Sequence, residues 1–234
     1  MKTVGIIGGL GPETTSQFYM KLIELCRKKN KINYPPIIIY SIPIQFKIEQ
    51  DIVEKNKNEE KMLPFLIDGI KKLEQSKADF VVIPCNTIHF FIDKLRKSIS
   101  IPILSIIEET AKKCKIKGYQ KIGVLATKKT IEKKLYDNEL ERFNIKLITP
   151  TIQEQENVSK IIFHILSGKK SEYNKKQLLR IVKDLENKGA EAIILGCTDL
   201  QLLLSQKDSK VKLLDTVEIF AEATINKILR NSID

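Results

Sequence analysis

Residues 78–85 read Ala-Asp-Phe-Val-Val-Ile-Pro-Cys, and residues 190–197 read Ala-Glu-Ala-Ile-Ile-Leu-Gly-Cys. In each stretch an apolar run leads to a cysteine, Cys85 or Cys197, and a polar pair follows it. Such continuous apolar runs are typical of parallel strands that are buried on both faces of a sheet. The two stretches therefore predict equivalent buried strands, each with a thiol just beyond its carboxyl end.

These two stretches belong to a longer internal repeat. Residues 3–8 resemble residues 121–126, and residues 103–108 resemble residues 213–218. Because the three similarities keep their order at nearly constant separation, they indicate two homologous halves. The alternative is that any chain of alternating strands and helices repeats such units, but that does not explain the shared offset.

Apolar runs alternate with segments of helical period along the whole chain. This alternation predicts an α/β fold with parallel sheets covered on both faces. Ligand sites of open parallel sheets form beyond the carboxyl ends of the strands, so Cys85 and Cys197 are predicted to face each other across a cleft. The predicted strands are residues 3–7, 37–42, 80–83, 101–106, 121–126, 145–149, 192–195 and 211–214.

The net charge of +11 is the feature of the composition that most invites a wrong interpretation. It comes from 40 Lys and Arg against 29 Asp and Glu among 234 residues. The cations are interspersed with acids and form no block of five or six, so they predict a solvated surface with no nucleic-acid or membrane partner. No apolar stretch reaches the ~18 residues of a membrane span, and the first residues do not resemble a secretory leader. We therefore expect a cytoplasmic protein.

Four cysteines occur, at positions 26, 85, 114 and 197. The absence of a C-x-x-C pair excludes zinc-ribbon spacing, and reduced thiols are expected in a cytoplasm. Cys26 completes an apolar helical stripe and is predicted to be a core residue. Cys114 lies among lysines and is predicted to be partly exposed and also without a catalytic role.

Two opposed thiols can move a proton from one face of a carbon atom to the other. A thiolate removes the proton while the opposite thiol delivers one, and the roles exchange with the handedness of the substrate. A helix start after each cysteine is expected to favour the thiolate. His89, four residues after Cys85, permits a Cys-His hydrolase as an alternative, but that function leaves Cys197 unexplained.

Two loops are candidates for holding a small substrate. Residues 8–14 read Gly-Gly-Leu-Gly-Pro-Glu-Thr, and their spacing fails the dinucleotide-binding fingerprint, so the glycines are expected to bring backbone close to a small molecule. Thr127 and Thr130 occupy the matching loop of the second half. Their hydroxyls and the nearby backbone N–H groups are suited to a carboxylate, or serve only as helix caps.

These residues carry a resemblance to the aspartate/glutamate racemase family, closest to the aspartate racemases. The resemblance runs nearly end to end, and the two cysteine motifs together are its most specific part. The resembling stretches are Gly8-Gly-Leu-Gly-Pro12, Pro84-Cys-Asn-Thr-Ile-His89, Ala126-Thr-Lys-Lys-Thr130 and Gly196-Cys-Thr-Asp199.

The resemblance implies two similar Rossmann-like three-layer αβα domains with parallel four-stranded sheets, related by a pseudo-twofold axis. The predicted domains are residues 1–98 with 210–234, and residues 99–209, with the active site between them. It further implies racemisation of L- and D-aspartate, or glutamate, without pyridoxal phosphate, another cofactor or a metal, in a homodimer. Cys85 and Cys197 would be the acid/base pair. The implied substrate-binding residues are Leu10, Gln45, Asn86, Thr87, Thr127, Thr130, Ser167 and Thr198.

This chain departs from the aspartate racemase pattern at the positions that bind the side-chain carboxylate. Gln45 stands where an arginine is expected, and Ser167 stands where a lysine is expected. Losing both cations weakens aspartate binding unless Lys47 or Lys169 compensates. Two alternatives follow: a related isomerase, hydantoin racemase or decarboxylase, and a basic binding protein whose cleft no longer catalyses.

Overall fold

The computed structural model describes residues 1–30, 33–53 and 57–229. In these ranges eight strands form two parallel sheets, with strand orders β2-β1-β3-β4 and β6-β5-β7-β8. Each strand overlaps one of the predicted apolar runs, so the α/β prediction with two four-stranded parallel sheets is confirmed. The strands are β1 Val4–Gly8, β2 Ile37–Ser41, β3 Phe80–Val82, β4 Ile103–Leu104, β5 Lys121–Ala126, β6 Lys146–Ile148, β7 Ala192–Gly196 and β8 Lys212–Asp215.

Helices follow the strands in both halves. The α-helices of the described residues are α1 Pro12–Lys29, α2 Phe46–Val53, α3 Leu63–Gln75, α4 Ile92–Arg96, α5 Ile106–Ile116, α6 Lys128–Glu132, α7 Leu135–Glu141, α8 Ile152–Leu166, α9 Glu172–Asn187 and α10 Thr216–Leu229. Shorter 3-10 helices span Glu59–Met62, Thr87–Phe91, Thr198–Leu202 and Gln206–Asp208.

Successive strand residues pack into different cores, as the twofold period of a strand requires. In β1, Ile6 packs into a core with α1, α5 and α10, whereas Ile7 packs against α3 on the other face. In β7, Ile194 joins the first of these cores, and Ile193 packs against α8 and α9. One core is therefore shared by the two sheets, and the other two cover their opposite faces.

Strand pairing differs from the predicted domain division at two strands. The prediction placed β4 with residues 99–209 and β8 with residues 210–234, but β4 pairs with β3 and β8 pairs with β7. Each is the edge strand of its own sheet. This equivalence agrees with the internal repeat, in which residues 103–108 resemble residues 213–218. Helix α10 nevertheless packs on α1, with the rings of Phe18 and Phe220 5.5 Å apart. The chain therefore crosses between the halves at its end.

The turn after β1 needs glycine at position 9. Gly9 has a φ of 85°, and a Cβ added there would lie 2.6 Å from the carbonyl oxygen of Ile42. A side chain would both strain the backbone and clash with the neighbouring segment. Leu10 therefore lies just beyond the carboxyl end of β1. No helix in the described part of the chain combines the length and apolarity needed to cross a membrane.

Candidate active site

A cavity of about 50 Å³ lies where loops from the carboxyl ends of both sheets meet. Its lining includes Cys85 from the loop after β3 and Cys197 from the loop after β7, so the structure brings the two predicted thiols to one cavity. The other polar residues that line it are Asn86, Thr87, Thr127, Thr198 and Asp199.

Cys85 is half-buried in a loop that is held by backbone and by a buried imidazole. Its N–H donates to the carbonyl of Ile83 at 2.8 Å, and its own carbonyl oxygen lies 2.8 Å from Nδ1 of His89. His89 is 2% exposed, and burial lowers its pKa to about 4. The neutral ring therefore donates from Nδ1, while Nε2 accepts the N–H of Ile106 at 3.2 Å.

Cys197 is buried beside the carboxyl group of Asp199. Its Sγ lies 3.7 Å from Oδ2 of Asp199, and Thr14 donates to Oδ1 of the same group at 3.4 Å. Burial raises the pKa of the Cys197 thiol well above its ordinary value, and the negative charge of Asp199 raises this pKa further. The expectation that a helix start would favour the thiolate is therefore wrong here. Only a five-residue 3-10 helix follows, and loss of hydration outweighs its dipole.

The two thiols also influence each other. A negative charge on Cys85 raises the pKa of Cys197, so the thiolate form of one favours the thiol form of the other. Coupled groups of this kind lose their protons in separate steps. The pair is therefore suited to holding one proton between two sulfur atoms, which is the protonation state that an acid and a base on opposite walls require.

Three threonines join the two halves beside the cavity. The hydroxyl of Thr87 lies 2.9 Å from that of Thr127 and 3.5 Å from that of Thr130, and the last two are 3.0 Å apart. Thr127 also caps α6, because its hydroxyl accepts the N–H of Thr130. Thr130 is buried and does not line the cavity, but its hydroxyl contacts those of Thr87 and Thr127, which do.

Asn86 lines the cavity, but its side-chain amide is committed to the scaffold. Its Oδ1 accepts the phenol hydrogen of Tyr136 at 2.6 Å, and its Nδ2 donates to Thr216 at 3.1 Å. Thr216 in turn donates to the carbonyl of Leu195 at 2.9 Å. This chain of hydrogen bonds joins the Cys85 loop to the end of β7, just before Cys197.

The family profile described as Asp/Glu/Hydantoin racemase matches residues 7–224. This chain belongs to that family. The match takes in both cysteine loops, the threonine cluster and all eight strands except the first residues of β1.

Similar proteins of known structure or described activity span almost the whole chain. A broad-specificity amino-acid racemase of Bacillus subtilis (strain 168) is 30% identical over 97% of this chain and 98% of its own length. The structure of an aspartate racemase homologue from Pyrococcus horikoshii OT3 is 34% identical, with a TM-score of 0.80, over 97% of this chain and 99% of that one. The aspartate racemase of Picrophilus torridus is 25% identical, with a TM-score of 0.79, over 97% and 94%.

The two positions at which the family pattern has cations for a side-chain carboxylate do not line the cavity. Gln45 is exposed, and Ser167 is exposed at the end of α8, where its hydroxyl donates to the carbonyl of Phe163 at 2.9 Å. Lys47 and Lys169, the two candidate replacements, are also exposed, and neither lines the cavity. No Lys, Arg or His of the described residues lines it.

Several lining residues were not anticipated from the sequence. Asp199 follows Cys197 by two positions, but the sequence assigned it no role at the site, and its contact with the Cys197 thiol is seen only in the structure. Ile52 of α2 and Met62, at the end of the 3-10 helix Glu59–Met62, contribute apolar surface to the cavity. The sequence around Ile52 and Met62 mixes apolar and charged residues without a motif, so no sequence signal could have placed these two side chains at the site.

Cys26 and Cys114 lie in the core, away from the cavity. Both are buried, which agrees with the predicted role of Cys26. The prediction that Cys114 is partly exposed is wrong: it lies on the inner face of α5, and burial raises its pKa to about 12. The lysines beside it occupy the outer face of that helix. In the described residues, no three His, Cys, Asp or Glu side chains form a group that could hold a metal ion.

Proposed function

We propose that this protein racemises a free α-amino acid without a cofactor, and that Cys85 and Cys197 are the two acid/base groups. The proposal rests chiefly on one observation. The two thiols come from equivalent loops of the two sheets, line the same cavity and influence each other electrostatically. The alternative readings, a hydrolase or an inactive binding protein, do not use both thiols.

The chemistry requires one sulfur atom without a proton and one with it. A thiolate takes the α-proton, and the electron pair of the broken C–H bond stays on Cα. The opposite thiol then gives its proton to the other face of Cα, which yields the mirror image and leaves the roles of the two sulfurs exchanged. Because the pKa of Cys197 is raised, Cys197 is the thiol in the resting enzyme in this proposal.

The groups beside the thiols have distinct supporting roles. Asp199 accepts a hydrogen bond from Cys197 and orients its proton. The hydroxyls of Thr87 and Thr127, together with backbone N–H groups of the cysteine loops, are the donors that we assign to the α-carboxylate. Asn86 acts by fixing the Cys85 loop rather than by offering its own amide.

The finer sequence predictions stay predictions. They are an aspartate or glutamate substrate, a homodimer, a cytoplasmic location, and the division into residues 1–98 with 210–234 and 99–209, apart from β4 and β8, which pair in the opposite halves. A substrate panel that includes hydantoins, arylmalonate and maleate separates racemisation of amino acids from the other activities considered above.

The decisive test is isotope exchange at Cα. In D₂O the protein should incorporate deuterium into an amino acid as the optical rotation falls, and dialysis against EDTA and hydroxylamine should leave the rate unchanged. Cys85→Ala and Cys197→Ala should each lower racemisation by about 10³-fold or more, as expected for loss of a general acid or base. Each should also retain slow exchange on one enantiomer only, because one base remains.

Cys26→Ala is the matched control, since that thiol is buried in the core away from the cavity. It should keep the activity of the unaltered protein. Full racemisation by either Cys85→Ala or Cys197→Ala would disprove the two-thiol mechanism.

A further inference from the structure

The lining of the cavity combines polar residues with apolar ones. The polar residues lie in loops at the carboxyl ends of β3, β5 and β7, where the thiols are. The apolar lining comes mainly from helical segments of both halves. The apolar residues are Leu10, Ile52, Met62, Ile88, Ile162 and Leu166.

The residues Ile52, Met62, Ile162 and Leu166, here called the apolar cover, come from both halves, and α2 of the first half contacts α8 of the second. Ile52 and Met62 belong to a core with α3 in the first half, and Ile162 belongs to the core of α8 and α9 in the second. Ile162 is 0% exposed, and Ile52 and Met62 are each 4% exposed. These side chains are therefore held in place, and a substrate group that faces them exchanges water for hydrocarbon.

A second carboxylate on the substrate would meet no cation among the described residues that line the cavity. It would instead share the space with the carboxyl group of Asp199, which lies within hydrogen-bonding reach of Cys197. Lys129 is a buried cation two positions after the lining residue Thr127. Its ammonium group lies 2.9 Å from the carboxylate of Glu59 and forms an ion pair with it. Burying an unpaired charge is costly, so this lining disfavours aspartate and glutamate.

The size of the cavity restricts the substrate further. A volume of about 50 Å³ holds a few water molecules, at roughly 10–15 Å³ each on the same measure. The amino and carboxylate groups of an amino acid occupy much of that space, so the side chain must be short unless the cover moves.

We propose that the substrate of this racemase carries a small uncharged aliphatic side chain, of the size of alanine to valine, held against Ile52, Met62, Ile162 and Leu166. The proposal rests on the racemisation proposed above. It differs from the sequence-based expectation of an acidic substrate. An uncharged side chain needs no cation, which explains why Gln45 and Ser167 stand where the family pattern has an arginine and a lysine.

The test compares amino acids that differ in one property at a time, with deuterium exchange at Cα read by NMR. The panel is alanine, 2-aminobutyrate, valine, asparagine, aspartate and glutamate, each as both enantiomers. Alanine and 2-aminobutyrate should exceed aspartate by about 100-fold or more in kcat/KM, as expected for an unpaired buried charge. Each methylene that the cavity accepts should raise kcat/KM about fourfold. Asparagine, which matches aspartate in size, should exceed it as well.

Variants of one lining residue test whether the apolar cover of the cavity receives the side chain. Leu166→Ala should lower kcat/KM for 2-aminobutyrate more than for alanine. Leu166→Arg should raise the ratio of aspartate to alanine by about tenfold or more, because it supplies the missing cation. Ile152→Ala is the control on the same helix, since Ile152 is 84% exposed. Circular dichroism establishes that each variant is folded.

The outcomes separate this inference from the proposed function. Fastest exchange with aspartate or glutamate, abolished in Cys85→Ala, would leave the racemase intact and overturn the aliphatic side chain. Unchanged substrate ratios in the folded Leu166 variants would overturn it too. Absence of exchange with every amino acid of the panel would overturn both.

Discussion

His89 donates from Nδ1 to the carbonyl oxygen of Cys85 at 2.8 Å and accepts the N–H of Ile106 at Nε2. One buried ring thus ties the loop that carries a thiol to the first turn of α5. His89 was considered as a partner of the Cys85 thiol in a hydrolase. Both of its hydrogen bonds described above join it to the backbone instead, which makes it a positioning residue in the proposed reaction.

We predict that His89→Ala lowers kcat by about 100-fold with a smaller change in KM, because a shift of Cys85 by about 1 Å misaligns it with Cα. His89→Asn should recover part of kcat, since its amide can still donate to the Cys85 carbonyl. Steady-state racemisation at several pH values provides the measurement. Equal loss in both variants, with unchanged stability, would contradict a role in positioning.

The same histidine makes the stability of the protein dependent on pH. Its pKa is lowered from 6.5 to about 4 in the folded state by burial, so the unfolded chain binds the extra proton between these values. His89 therefore does not reduce the free energy of unfolding above about pH 6.5. As the pH falls toward 4, its protonation in the unfolded chain lowers that free energy by about 3 kcal/mol in all. Urea unfolding from pH 7.5 to 4 should show this decline, and His89→Asn should show less of it.

Asp199 is expected to control the acidity of Cys197. Its negative charge adds to burial in raising the pKa of that thiol, so Asp199→Asn should lower the pKa and bring alkylation of Cys197 to lower pH. Peptide-resolved mass spectrometry after timed iodoacetamide treatment measures this pH dependence. Asp184→Asn, on the exposed surface of α9, is the control and should leave the profile of Cys197 in place. An unshifted profile in Asp199→Asn would rule out this influence.

The ion pair of Glu59 and Lys129 joins the cover of the cavity to the second half. The two groups are 2.9 Å apart, and the Lys129 side chain is only 6% exposed. We predict that Glu59→Gln raises KM several-fold and speeds hydrogen exchange at Met62 and the start of α3, because the cover opens more often. Glu60→Gln, at the exposed neighbouring position, should change neither quantity.

The pH dependence of that ion pair comes from a favourable partner, whereas that of His89 comes from burial. The hydrogen bond from Lys129 lowers the pKa of Glu59, so its stabilising effect is present above the ordinary carboxyl pKa and is lost as the pH falls through the lowered value. Faster exchange at Met62 should therefore set in at acid pH in the unaltered protein and be nearly independent of pH in Glu59→Gln. A cover that responds equally in both would show that the pair does not hold it.

Tyr136 is predicted to stabilise the fold through Asn86. Tyr136→Phe removes the 2.6 Å hydrogen bond and leaves Oδ1 of Asn86 buried without its partner, which should lower the free energy of unfolding by about 1–3 kcal/mol. Urea denaturation measures the loss. Tyr173→Phe is the control, since Tyr173 is 70% exposed, and it should be neutral within about 0.5 kcal/mol. Equal stability of the two variants would contradict the prediction.

Local patterns in the sequence were sufficient for the strands and for the candidate thiols. Continuous apolar runs such as residues 80–83 and 192–195 mark buried strands, because a parallel strand covered on both faces has no polar side. The internal repeat then singled out Cys85 and Cys197 from the two core cysteines. These inferences depend only on neighbours along the chain and on comparison between its two halves.

Tertiary structure alone decided which distant groups meet. Ile52 and Met62 both line the cavity, and α2, which carries Ile52, contacts α8 of the second half. Asp199 likewise reaches Thr14 across the halves, and Tyr136 and Thr216 bind the Asn86 amide. The sheet to which β4 and β8 belong was decided in the same way. Hydrophobic period encodes which side of an element is buried, but not which remote element covers it. For that reason the sequence by itself singled out the two thiols that we propose for proton transfer, whereas the apolar lining of the cavity became visible only in the folded chain.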